Sequence, residues 1–198
     1  MRNNTSQAET TQTRRTPKAL LMYLILALYT YQMNIPGPVI SYLRQQFQMN
    51  YTMASLHFSA FAAGMVIVGL FGKKILTRLA PWKTVGLGCL GMGFGGLALS
   101  FGQNPFITVF GLFLMGLVGT LILSIYPAVI TEEMGAKARV GLAEANSLSS
   151  MLATLAPLAV GFSAARFLTW RPAVYIASGL ALGIGLWLML KAEKSPAR

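Results

Sequence analysis

The stretch Pro105–Ile130, PFITVFGLFLMGLVGTLILSIYPAVI, runs for 26 residues without an Asp, Glu, Lys, Arg or His. A helix rises about 1.5 Å per residue, so about 20 apolar residues cross the ~30 Å hydrocarbon core of a bilayer. This stretch exceeds that length and carries no charge to resist burial in lipid. It reads as a membrane span, with one proline, Pro127, inside it to bend the helix.

Five further stretches read the same way, at Ala19–Ile40, Tyr51–Gly72, Thr84–Phe101, Val140–Phe167 and Pro172–Leu190. Only His57, Glu144 and Arg166 among them can carry charge, and each lies near a span end. Short polar or charged connections separate the spans: Arg44-Gln45-Gln46, Lys73 to Lys83, Gln103-Asn104-Pro105, Glu132 to Arg139, and Thr169-Trp170-Arg171. The expected fold is therefore an all-α integral membrane bundle of six helices over residues 19–190. Residues 1–18, polar and without an apolar run that would make a signal peptide, read as a disordered cytoplasmic tail. Residues 191–198 read as a second cytoplasmic tail.

Composition agrees. Of 198 residues, 55% are hydrophobic and 11% charged, with a mean hydropathy of +0.58. A soluble domain carries about 25% charged residues, so this chain lacks the polar surface to be one. Its net charge of +11 falls in clusters between apolar stretches. It does not form a face or stripe as in a nucleic-acid binder, so no nucleic-acid partner is expected. The clusters set orientation. With the amino terminus inside, 13 Lys and Arg are cytoplasmic and three (Arg44, Arg166, Arg171) are outside, together the 16 of the sequence. That bias places both termini in the cytoplasm, in a plasma or inner membrane.

Small residues recur at spacings that let helix backbones approach: Ala60-x-x-x-Gly64, Gly91-x-x-x-Gly95 and Gly179-x-x-x-Gly183. Polar residues also recur at helical spacing, with Thr120, Ser124 and Thr131 on the face of Pro127. Asn146, Ser150 and Thr154 lead to a second intramembrane proline, Pro157. Tyr23, Thr30 and Asn34 share a face of the first span, beside Tyr29 and Gln32. Such faces should point away from lipid, toward a wet cavity or a helix contact. Ser and Thr can satisfy themselves on their own helix backbone. The amides of Gln32, Asn34 and Asn146 are harder to satisfy that way, which points them to a cavity.

His57 is the one histidine, a possible proton site or a hydrogen bond between helices. Glu144 is within reach of Arg139 or Lys137 for an ion pair. No nucleophile–base pair, metal-ligand cluster or phosphate-binding loop is present, so neither an enzyme nor a cofactor is expected.

The run from Pro127 through Thr131-Glu132-Glu133 and Lys137-Ala-Arg139 to Glu144-Ala-Asn146, then Ala156-Pro157-Leu-Ala-Val-Gly161 and Thr169-Trp170-Arg171, resembles helices four to six of the major facilitator superfamily. The loop Gly72-Lys-Lys-Ile-Leu-Thr77-Arg78-Leu-Ala80-Pro-Trp82-Lys83 is similar to that family's Gly-x-x-x-Asp-Arg-x-Gly-Arg-Arg loop. Thr77 stands at the Asp position, and Ala80 or Pro81 at the Gly. The resemblance spans about Ala19 to Leu190 and matches the amino-terminal six-helix half, built as a 3+3 inverted repeat. It implies a secondary-type transporter whose first and fourth helices line the cavity, which places Tyr29, Gln32, Asn34, Thr120, Ser124 and Tyr126 there. The fifth adds Asn146 and Ser150. It also implies a cytoplasmic gate, for which Glu132 or Glu133 with Arg78 is a partial substitute.

Two functions follow as expectations. One is a half-transporter that moves a small neutral or weakly polar solute by alternating access once paired with a second six-helix bundle. That partner is either a second copy or a complementary half. The other is a non-transporting membrane module, a truncated product or an accessory subunit.

Overall fold

Prolines and short polar caps begin the helices. In the computed structural model, which describes residues 15–193, α1 (Pro17–Asn34) starts on Pro17, and the Thr16 side chain accepts from the Ala19 N–H. Proline lacks the N–H that a first-turn position leaves unused, and its φ is already helical. Pro36 opens α2 (Pro36–Gln46), Pro81 opens α4 (Pro81–Phe101), and Pro105 opens α5 (Pro105–Leu114) behind an Asn104 cap. Asn50 caps α3 (Tyr51–Arg78) through the Met53 N–H. A π turn, Met115–Gly119, joins α5 to α6 (Thr120–Met134). A 3-10 turn, Gly135–Lys137, leads into α7 (Ala138–Phe167), and α8 is Arg171–Glu193.

Boundaries differ from the sequence reading where charged residues continue a helix. Pro17 and Lys18 belong to α1, Arg44-Gln45-Gln46 to α2, and α3 runs on to Arg78, so the expected connection 73–83 shrinks to Leu79 and Ala80. Lys and Arg are good helix formers and reach water from a helix end. Lys191 likewise extends α8. The remainder of both expected tails, 1–14 and 194–198, lies outside the described residues.

Among the described residues there is no strand, and five helical runs are long and apolar enough to cross a membrane. One of them, Pro105–Phe167, has 63 residues. Straight, it would measure about 95 Å, some three hydrocarbon thicknesses. It is not straight. Gly135 adopts a φ of 51°, which glycine tolerates at no steric cost, and the chain doubles back so that α6 and α7 pack together.

The packing is led by two pairs, α4 with α8 and α1 with α7, while α3 lies on α5 and the π turn. Glycines make this possible. A Cβ on Gly64 would sit 2.5 Å from the Leu117 backbone N and 2.6 Å from the Phe113 backbone O. A Cβ on Gly95 would sit 2.6 Å from the Gly111 O. Gly64 and Gly95 are thus true backbone approaches, and Gly91 takes the Val118 side chain against it. Gly179 and Gly183 are not approached: both are exposed, with nothing within 4 Å, and α8 meets α4 instead through Gly86, Gly93 and Gly96. Phe106, Leu70, Phe162, Ile176 and Leu190 project outward. Such an apolar exterior suits lipid and not water.

Candidate functional site

Two hydrogen bonds fix how α1 and α7 run. Tyr23 Oη donates to Glu144 Oε2 (3.2 Å) and Thr30 Oγ1 donates to the Ser149 carbonyl (3.0 Å), so both numbers rise together and the helices are parallel. On this frame Asn34 stands one turn beyond the Thr30–Ser149 link, and Asn146 and Ser150 flank that link along α7. Ser150, Asn146, Asn34 and Ser124 are exposed, and Tyr126 is half-buried.

Each exposed polar group is anchored on its own helix. Asn34 Nδ2 donates to the Thr30 carbonyl (2.8 Å) and Asn146 Nδ2 to the Leu142 carbonyl (2.9 Å). Ser124, Ser150, Thr154 and Thr131 donate to the carbonyls four residues back. The amides of Asn34 and Asn146, expected to resist this arrangement, adopt it. A helix-surface Asn reaches the i−4 carbonyl with one N–H and keeps its other N–H and its oxygen free. A row of oriented acceptors and spare donors is left on the open face.

That face has a sharp edge on α7. At about 100° per residue, Asn146, Ser150 and Thr154 lie on one stripe. Met151 (63% exposed), Leu155, Leu158 and Phe162 (66% exposed) lie about a quarter-turn around. The helix thus shows three strips: buried, polar exposed, and apolar exposed. The apolar strip suits lipid, and the polar strip suits water or a partner.

Tyr29, Gln32 and Thr120 are elsewhere, inside the bundle at 1%, 1% and 6% exposure. Gln32 points between α1, α4 and α8, with Nε2 3.5 Å from Ser178 Oγ. Tyr29 packs beside Gly119 at the end of the π turn. Gln32 Oε1 is buried without a hydrogen-bond partner, and the buried Tyr29 and Thr120 hydroxyls have no polar neighbour but each other. A buried polar group left unpaired costs on the order of 1–3 kcal/mol. So the eight sequence-chosen residues divide into the exposed Asn34, Ser124, Asn146 and Ser150, the half-buried Tyr126, and the buried Tyr29, Gln32 and Thr120. Thr120 and Ser124 stand on one regular α turn of α6, where Ser124 donates to the Thr120 carbonyl, and the roughly 40° between them leaves the first buried and the second exposed.

His57 is wholly buried between α3 and α5. Its Nε2 is 2.9 Å from Thr108 Oγ1 and its Nδ1 is 3.0 Å from the Met53 carbonyl. The carbonyl can only accept, so Nδ1 carries a proton there.

Ion pairs at the end of the bundle holding the α1 start differ from the expected ones. Glu144 pairs with Arg15 (Nε–Oε2 2.9 Å, Nη2–Oε1 2.5 Å), not with Arg139 or Lys137. Glu133 meets Lys18 (3.1 Å) and accepts from Thr16 Oγ1 (3.0 Å), not from Arg78. Glu132, Arg78 and Arg139 are exposed. The cause is positional: the segment entering α1 crosses the ends of α6 and α7 and delivers its cations there. Sequence spacing could not show this, since Arg15 and Glu144 are 129 residues apart.

No curated protein matches the chain. A family model described as Major Facilitator Superfamily matches residues 22–198, nearly all of the described helices. With that match over a bundle of long apolar helices, the chain belongs to the major facilitator superfamily.

Proposed function

We propose that the chain forms one half of a transporter, moving a small neutral or weakly polar solute along the stripe of Asn34, Ser124, Asn146 and Ser150. Family membership implies secondary transport of a small-molecule solute across a lipid bilayer. The finer reading counts Pro105–Phe167 as two crossings, giving six in all, with both termini cytoplasmic. A 3+3 inverted repeat is supported by the packing, since span one lies on span five as span two lies on span four, and spans three and six pair. The half closes its pocket by pairing with a second six-helix bundle, either a second copy or a complementary half, and works by alternating access.

The observation that carries this reading is the division of the α7 surface into a polar and an apolar strip, both exposed. A helix that met only lipid would have no use for the first strip. The buried polar layer of Tyr29, Gln32 and Thr120 adds to this reading, and if transport is proton-coupled the proton site is His57 or lies in the second bundle.

Cysteine accessibility tests the pocket without knowledge of the solute. On a Cys89→Ser background, single cysteines at Asn34, Ser124, Asn146 and Ser150 react with a charged thiol reagent in membranes. Those at Met151, Leu155 and Phe162 react at least tenfold more slowly. Equal rates on the two strips overturn the pocket, and full transport by a monodisperse monomer in nanodiscs overturns the pairing.

A further inference from the structure

At the other end of the bundle from Glu133 and Glu144, an open cavity of about 430 Å³ lies where α2 and α4 end and α8 begins. Arg171 lines it. The guanidinium donates from Nε to the Ser100 carbonyl (2.9 Å) and from Nη2 to Gln46 Oε1 (3.1 Å), and lies 5.2 Å from the Trp170 ring centroid. Two of its five N–H groups are used, and three remain. Among the described residues no carboxylate stands at this end: Glu132, Glu133 and Glu144 lie near the α1 start and Glu193 at the far end of α8. Ser100 also lines the cavity. It is 1% exposed, and its hydroxyl has no hydrogen-bond partner.

We propose that this cavity binds a phosphate group, presented by an anionic phospholipid headgroup. A cation with three free donors beside an unpaired hydroxyl is a receptor for several oxygens of one anion, and the arginine fork suits phosphate geometry. The first turn of α8, carrying Arg171, adds the positive end of its helix dipole. A lipid source is favoured over a soluble one by the walls. Phe101 and Tyr175 stack at 4.9 Å beside the cavity, and Phe101 is 65% exposed. Aromatic rings at the end of a span occupy the headgroup level of a bilayer, so an acyl chain leaving the headgroup runs down an apolar surface. The site is separate from the polar stripe, and its test involves no transport.

The test uses the full chain purified in phosphate-free detergent, titrated calorimetrically with dihexanoyl phosphatidylglycerol, dihexanoyl phosphatidylcholine or inorganic phosphate. Phosphatidylglycerol binds saturably to the wild type. Arg171→Gln weakens it at least tenfold. Gln46→Glu does the same by occupying the guanidinium with a fixed carboxylate, and Ser100→Ala weakens it several-fold. The last two remove no bond that holds α8 to α4, so they decide the matter if Arg171→Gln fails to fold. Inorganic phosphate binding as tightly, with the same dependence on Gln46→Glu, upholds the phosphate site and overturns its lipid source. Equal binding of phosphatidylcholine, or binding untouched by Gln46→Glu and Ser100→Ala, overturns the proposal.

Discussion

Gly64→Ala adds one methyl group where every near neighbour is backbone. The new Cβ would be 2.5 Å from the Leu117 N, 2.6 Å from the Phe113 O and 2.9 Å from the Gly116 C, all backbone atoms. Non-bonded carbon needs about 3.5 Å, so α3 and the π turn must part by most of an ångström. A side chain would swing aside, but backbone does not. Overpacking typically costs about 1–3 kcal/mol, and here the upper figure applies because nothing nearby can rotate away. Three kcal/mol is about a 150-fold change in the folding equilibrium and, for a chain of this size, a fall of about 6–12 °C in melting temperature.

The internal control is Gly179→Ala with Gly183→Ala. These positions meet nothing within 4 Å, and alanine in a helix is favoured over glycine by up to about 1 kcal/mol, so the double variant melts at or above the wild type. Thermal unfolding of purified protein in mild detergent, followed by loss of monodispersity, reads both. Gly64→Ala within 1 °C of wild type would refute the close approach of α3 to the π turn.

Tyr29→Phe removes a buried hydroxyl whose one polar neighbour is the Thr120 hydroxyl, so stability holds within about 1 kcal/mol. A clear loss of stability in the same melt would mean that the hydroxyl is paired. Asn34→Leu leaves the bundle folded, since the bond lost is a surface one to the Thr30 carbonyl. In proteoliposomes loaded with a panel of neutral solutes it abolishes uptake, whereas normal uptake would move the pocket elsewhere. His57→Gln keeps bonds to Thr108 and the Met53 carbonyl within reach and changes at most the pH dependence of transport. Loss of transport at every pH would make the imidazole essential. Cysteines at Ser6 and Ser195, on a Cys89→Ser background, stay protected from an impermeant reagent added to intact cells. Labelling of either would reverse the orientation.

The long apolar runs were legible from residue types alone, because hydropathy and length are properties of a segment and need no partner. The Ala60/Gly64 and Gly91/Gly95 stripes were legible too. Gly179/Gly183 has the same spacing but no helix against it, since small-residue spacing says that a face can be approached and not that anything approaches it. Gln32 and Asn34 show a related limit. Two residues apart and similar in chemistry, they point about 200° apart on α1, one into the bundle and one out of it. Polarity alone does not give a direction. The pairing of Arg15 with Glu144 depends on where the chain crosses the bundle end, which no local pattern encodes.

The π turn at Met115–Gly119 also gives the helix from α5 through α6 one spare residue. A turn closed by i→i+5 bonds holds one more residue than an α turn. Removing a single residue there lets the turn close as ordinary helix, and α5 and α6 keep the faces they now present. Removing one from the middle of α6 instead swings everything beyond it by about 100°, carrying Thr131 and Glu133 off their present sides. Tolerance to length change along this helix is therefore uneven, concentrated in the five residues between Leu114 and Thr120.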